Sequence, residues 1–121
     1  MIKRAIIDSG VWIAVKHASD QYYGEASKII NSWNDGRIGY VLITDYVVLE
    51  TANFLLRKTS FETALEAIRM LTESQRIRVR YVDALMHARI TKLFQQYKDL
   101  SLTDCSLLAL AEEEDVKELY S

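Results

Sequence analysis

A chain of 121 residues, half of them hydrophobic, can bury one core of useful size and is too short for two ordinary domains. Its 15 Lys and Arg against 17 Asp and Glu give a net charge of −2, which excludes a global positive field for holding nucleic acid; any such contact has to come from a local basic patch. The single cysteine, Cys105, excludes an internal disulfide and a cysteine metal cluster and suits a reducing, cytoplasmic compartment.

No apolar run reaches the roughly 18 residues of a membrane span, and the N-terminus lacks the apolar core of a secretion signal. With no proline and four glycines, the chain shows neither linkers nor low-complexity tracts. Ala5-Ile6-Ile7 is an apolar run suited to a strand covered on both faces. After the Ser9-Gly10 break, Val11, Trp12, Ala14 and Val15 begin a helical pattern. Ser19-Asp20 is a cap for a second helix from about Gln21 to Trp33, stopped by Asn34-Asp35-Gly36. Tyr40 to Ile43 forms a second strand, and Thr44 or Asp45 caps a helix reaching Lys58. Ser60 starts another helix through Leu71. Ile77, Val79 and Tyr81 alternate with arginines, the pattern of an edge or half-exposed third strand. Asp83 caps a helix to about Tyr97, Ser101 or Thr103 caps one to about Glu114, and Val116 to Tyr120 forms a fourth strand. Strands separated by helices, without a tight hairpin signal, imply crossover connections and a mainly parallel sheet. Ligands bind such sheets beyond the carboxyl ends of the strands.

Three acids fall in unexpected places. Asp8 ends a buried strand, as either the N-cap of the next helix or one arm of a metal site. In VVLETANFLL, the helix of residues 47–56, nearly the whole circumference is apolar, and the polar interruption is a stripe of Glu50, Asn53 and Arg57 with Tyr46 beside it. A helix so apolar is expected to be packed on most sides, with Glu50 in a cleft; the alternative is a surface Glu near Arg57, worth at most roughly a few tenths of a kcal/mol. Asp104 lies in Ser101-Leu102-Thr103-Asp104, which resembles a capping box, at the mouth of the buried run from Leu107 to Leu110. Cys105 beside it is a small core residue without a base to activate it. The three acids are 42 and 54 residues apart (8 to 50 and 50 to 104), so only the fold can bring them together. Three carboxylates around one cleft repel one another and raise at least one pKa, a conflict that a hard divalent cation relieves.

IIDSGVWIAV, VVLETANFLL and LSLTDCSLLALAEE resemble the first three acidic motifs of the PIN domain, in particular the small VapC-like toxins of toxin–antitoxin pairs. The resemblance spans essentially the whole chain, residues 1–121, as a single domain. It implies an α/β fold, a three-layer α/β/α sandwich around a mainly parallel sheet. It also implies an Mg²⁺- or Mn²⁺-dependent endoribonuclease, a homodimer, and control by an antitoxin that places an apolar helix in a groove and an arginine in the acidic pocket. Asp8, Glu50 and Asp104 would be the catalytic, metal-coordinating acids, and Ser9 resembles the hydroxyl position that supports them. Asn53 and Arg57 carry no family assignment; their shared stripe makes them candidates for substrate contacts. Arg4 and Lys16 are further, weaker phosphate candidates. Two departures stand out. Gly10 occupies a position where the family often has a polar residue, and the sequence stops at Leu119-Tyr120-Ser121, where a Thr/Ser-x-Asp segment with a further acid and a last strand would begin. The Glu112-Glu113-Glu114 run and Asp115 are no substitute and read as a solvated face.

The chemistry expected of such a site is hydrolysis of an RNA phosphodiester by an activated water. His17 and His87 lack a Ser or Cys partner and are surface or packing residues. The rival reading is a catalytically impaired PIN-like module for protein interaction or dimerisation. A phosphoacceptor receiver domain would want paired acids near the first strand and a late lysine, and neither is in the right order.

Overall fold

The computed structural model describes residues 3–17 and 19–121. Four strands form one all-parallel sheet in the order β3-β2-β1-β4. They are β1 (Arg4–Ile7), β2 (Tyr40–Thr44), β3 (Ile77–Arg80) and β4 (Leu119–Tyr120). Between β1 and β2 run α1 (Ser9–Lys16) and α2 (Tyr23–Asn34). Between β2 and β3 run α3 (Asp45–Lys58) and α4 (Phe61–Glu73), and α5 (Ala84–Gln96) and α6 (Leu102–Glu114) lead back across the sheet to β4. The first two crossovers travel one way along the sheet and the third returns the other way. With right-handed connections, α1 to α4 therefore cover one face and α5 and α6 the other, the three-layer α/β/α arrangement.

The strands follow from their composition. Ala5, Ile6, Ile7, Val41 and Ile43 are fully buried, as central parallel strands covered on both faces require. β3 pairs with β2 alone and alternates buried Ile77 with exposed Arg78, so it is the edge strand its pattern announces. Tyr81 lies past its end, 63% exposed. The fourth strand is shorter than its pattern: Val116 packs in the core and only Leu119 and Tyr120 join β1.

Capping explains most helix starts. The side chains of Ser60, Asp83 and Ser101 accept from the backbone N–H groups of Thr63, Met86 and Asp104. The second and third helices are the exceptions; neither expected cap of α3 holds, because Thr44 makes no capping bond and Asp45 accepts from the Val82 N–H. Asp20 accepts from the N–H of Tyr22 and forms a tight turn of its own, so α2 begins at Tyr23 without a side-chain cap and the expected start at Gln21 is corrected. It stops as expected, with Gly36 at φ 83°. Arg76 then secures the connection to β2, donating to the carbonyls of Trp33, Ile38 and Gly39 while its guanidinium lies 5.3 Å from the centre of the Trp33 ring.

The burial of α3 differs from its sequence pattern. Its buried face is Val47, Thr51 and Leu55, whereas Leu49 and Leu56 are 61% and 52% exposed. The helix enclosed on nearly all sides is α6, with Thr103, Cys105, Ser106, Leu107, Ala109 and Leu110 buried. Nor are the three glutamates at its end merely solvated: Glu112, Glu113 and Glu114 pair with Arg89, Arg80 and Arg4.

One buried polar contact joins the sheet to α6. Thr44 Oγ1 and Ser106 Oγ are 2.7 Å apart and fully buried, and the Ser106 hydroxyl donates to the Thr103 carbonyl, which leaves Thr44 as the donor of the pair. Ser106→Ala strands that donor and is expected to destabilise the protein by about 1–3 kcal/mol, whereas Thr44→Val leaves Ser106 satisfied and is expected to cost about 1 kcal/mol or less. Urea unfolding of the two variants measures the difference.

Candidate functional site

The returning connection α5–α6 makes β1 and β4 the pair at which the chain changes direction across the sheet, and a crevice opens beyond the carboxyl ends of such strands. Asp8 stands there. Its backbone N–H donates to the Tyr120 carbonyl at 2.8 Å, which fixes it at the end of β1 beside β4. Its Oδ1 accepts from the N–H of Ser9 at 2.6 Å and from the Ser9 hydroxyl at 3.2 Å, so it is the N-cap of α1 as well.

The Ser9 hydroxyl, on a residue only 3% exposed, shares its one proton between Asp8 and Glu50 Oε1. The other oxygen of Glu50 accepts from Thr103 Oγ1 at 3.0 Å. One carboxylate on α3 therefore gathers hydroxyls from the first turns of α1 and α6. Next to Thr103, Asp104 closes a full capping box, with Ser101 Oγ accepting from its N–H and Asp104 Oδ2 accepting from the Ser101 N–H, both at 3.0 Å. Asp8 and Asp104 are both caps, and Glu50 lies between them through its bonds to Ser9, beside Asp8, and Thr103, beside Asp104.

The electrostatics follow from that convergence. Burial raises the Asp8 carboxyl above its ordinary pKa, the nearby charges of Asp104 and Glu50 push the same way, and the hydrogen bonds from Ser9 only partly oppose them. Seven ion pairs bind acids to bases elsewhere among the described residues, and none involves Asp8, Glu50 or Asp104. The acids at the crevice are met by neutral donors alone, which hold them in place without cancelling their charge.

Glu50 sits at the rim of a groove of about 350 Å³. Tyr46, Asn53 and Arg57 line it from α3, and Leu102 and Thr103 line it from α6. The polar stripe read from the sequence is thus one wall of one groove, although Glu50, Asn53 and Arg57 are exposed along it and not enclosed as expected. Arg4 is corrected as a phosphate candidate. It begins β1, at the opposite end of the strand from Asp8, and donates to Glu114 at the end of α6. Lys16 closes α1 at the end away from Ser9. Gly10 borders a second cavity, of about 310 Å³, with Val11, Tyr22, Ala26 and Ile29; a Cβ built on it meets nothing within 4 Å. Thr103 is the functional contact the sequence did not single out; it was readable only as a possible cap. Cys105 is buried in the core, where desolvation raises its thiol pKa.

Residues 5–121 match the PIN domain. The chain belongs to that family. Among solved structures, it is similar to the VapC20 toxin of Mycobacterium tuberculosis, described as cleaving the sarcin–ricin loop. That match has a TM-score of 0.86 and 20% identity, and covers 97% of this chain and 88% of the other. It is also similar to a chain of a toxin–antitoxin complex from Klebsiella pneumoniae, with a TM-score of 0.65 and 19% identity, covering 95% of this chain and 82% of the other. A comparison with curated proteins finds no match. At these identities the structural likeness establishes the fold, which is the PIN-type α/β arrangement.

The oxygen donors of the three acids are of the type that suits a hard divalent ion. Among the described residues, however, no three His, Cys, Asp or Glu side chains already stand as a ready-made metal-holding group. Both Glu50 oxygens accept from hydroxyls, and one Asp104 oxygen accepts from the Ser101 N–H.

A carboxyl whose pKa is raised by folding favours the native state when protonated, and that contribution disappears as pH rises through the folded pKa. In metal-free buffer, Asp8→Asn, which keeps an oxygen for the Ser9 N–H, is therefore expected to be more stable than the parent at pH 7. The advantage should shrink as the pH falls toward the ordinary aspartate pKa. Thermal unfolding across that range measures it, and a gain that does not depend on pH would refute the assignment.

Proposed function

We propose that this protein is a divalent-metal-dependent endoribonuclease, the VapC-like toxin of a toxin–antitoxin pair. The observation that carries the proposal is the convergence of Asp8, Glu50 and Asp104 at one crevice, held by neutral donors and left without basic partners. The PIN-domain membership and the described activity of the mycobacterial structural neighbour support it.

In this reading Asp8, Glu50 and Asp104 hold Mg²⁺ or Mn²⁺. When bound, such a cation lowers the pKa of water and neutralises charge on the phosphate oxygens. The chain's own residues supply the arrangement. Ser9 and Thr103 fix the Glu50 carboxylate between α1 and α6, and the pairing of β1 with β4 fixes Asp8. The first turns of α1 and α6 add the positive ends of two helix dipoles, which stabilise the acids. Arg57, at the far end of the groove from the acids, holds a phosphate of the RNA, with Asn53 between. With a net charge of −2, this local grip replaces any general attraction for the polymer.

An antitoxin, as in the Klebsiella complex, is the proposed partner, and a homodimer and a cytoplasmic location belong to the same reading. Leu56 and Phe61, 52% and 62% exposed around the α3–α4 turn, are apolar surface of the kind a protein partner covers. The same surface favours the second reading, a PIN-like interaction module without catalysis. No described helix is long and apolar enough to cross a membrane.

Cleavage of a structured RNA by purified protein, with and without Mg²⁺, separates the two. Metal-dependent cleavage is expected, with kcat/KM reduced on the order of 10²-fold or more in Asp8→Asn, Glu50→Gln and Asp104→Asn and about 10- to 100-fold in Ser9→Ala. Cleavage that survives Asp8→Asn, or that does not need the metal, refutes the proposal.

A further inference from the structure

The groove beside Glu50 has a composition that metal binding does not explain. Tyr46 packs its ring against the core, and its hydroxyl lies 3.2 Å from Nδ1 of His87 on α5, which holds the ring in one orientation. Leu49 and Leu102, also lining the groove, are 61% and 45% exposed, large apolar groups facing water where a ligand would cover them. Asn53 makes no side-chain hydrogen bond among the described residues. Six of the eight arginines, Arg4, Arg37, Arg76, Arg78, Arg80 and Arg89, are engaged by acids or carbonyls there. Of the two that are not, Arg57 lines this groove and Arg69 does not.

We propose that the groove is a subsite for one unpaired nucleobase of the RNA. Tyr46 is its stacking platform, Leu49 and Leu102 are its apolar walls, Asn53 reads the base edge and Arg57 takes the adjoining phosphate. The proposal rests on the nuclease reading for the polymer and goes beyond it by naming what sets base preference. A nucleobase is the ligand that uses every feature at once. Its face stacks on a fixed aromatic ring, its edge offers both donors and acceptors to a primary amide, and its backbone brings the anion that an unpaired guanidinium lacks. An apolar peptide side chain would leave Asn53 and Arg57 unused, and a basic one would meet Arg57.

The test is binding of four short single-stranded RNAs that differ at one central base, measured by fluorescence anisotropy in metal-free buffer with EDTA. The proteins are the parent, Asn53→Ala and Leu49→Ala; both substituted residues are exposed, and circular dichroism verifies the fold. The parent is expected to bind the four RNAs with affinities that differ about fivefold or more. Asn53→Ala is expected to compress that spread below about twofold, and Leu49→Ala to weaken all four together. No binding by the parent, equal binding of all four, or a spread that survives Asn53→Ala overturns the subsite and leaves the groove to a protein partner. Metal-dependent cleavage of the same RNAs is followed in parallel. Loss of cleavage with the spread intact counts against the nuclease reading alone, and cleavage without a spread counts against the subsite alone.

Discussion

The Glu50 carboxylate, held between the hydroxyls of Ser9 and Thr103, is the contact on which the arrangement of the crevice depends. It joins α3 to the first turns of α1 and α6, three helices that lie on both sides of the sheet. The rotation of α3 is set by its buried face, Val47, Thr51 and Leu55, which turns Glu50 toward the other two helices. Ser9 in turn touches Asp8, and Thr103 adjoins Asp104, so one carboxylate registers the positions of the other two. A lysine or arginine in place of either hydroxyl would pair with Glu50 and cancel its charge. Hydroxyls and backbone N–H groups constrain a carboxylate while leaving it negative.

A second group of acids follows the opposite rule. Glu112, Glu113, Glu114 and Glu118 are met by Arg89, Arg80, Arg4 and Lys3, exposed pairs of small energetic worth that nonetheless consume most of the local basic groups. Among the described residues, one group of acids is therefore neutralised at the strand beginnings and along α5–α6, while Asp8, Glu50 and Asp104 are among those without an ion pair. The groove that Glu50 lines also carries Arg57, which has no ion pair among the described residues. Glu50 and the Arg57 guanidinium stand about two helical turns apart along α3, at different places on one groove.

Much of the fold was legible because its signals are local. Ser60, Asp83 and Ser101 cap the helices they precede, and the alternation of arginines in β3 marks an edge strand. Asp20 failed as a helix start because an aspartate that can cap can equally close a turn on its own backbone. The apolar circumference of α3 was misleading for a different reason: periodicity counts hydrophobic positions and does not say whether the core, a partner or a ligand covers them, and Leu49 and Leu56 are left outside the core. The three acids were visible as carboxylates at the ends of buried elements. Their hydroxyl partners were not, because Ser9 and Thr103 reach Glu50 across 41 and 53 residues of chain and nothing local distinguishes them from ordinary caps.

The strain at Asp8 bears on the choice between an enzyme and an inert scaffold. A half-buried carboxyl with a raised pKa, near two further carboxylates, weakens the native state at neutral pH. Asn at the same position could keep the capping bond to the Ser9 N–H without the charge, so the caps alone do not account for the acid. Sites that bind cations or charged transition states carry this kind of local instability because the ligand relieves it. An inert interaction module has no use for a charge that its caps do not require, whereas a phosphodiester-cleaving site of the kind proposed uses carboxylates to hold its cation.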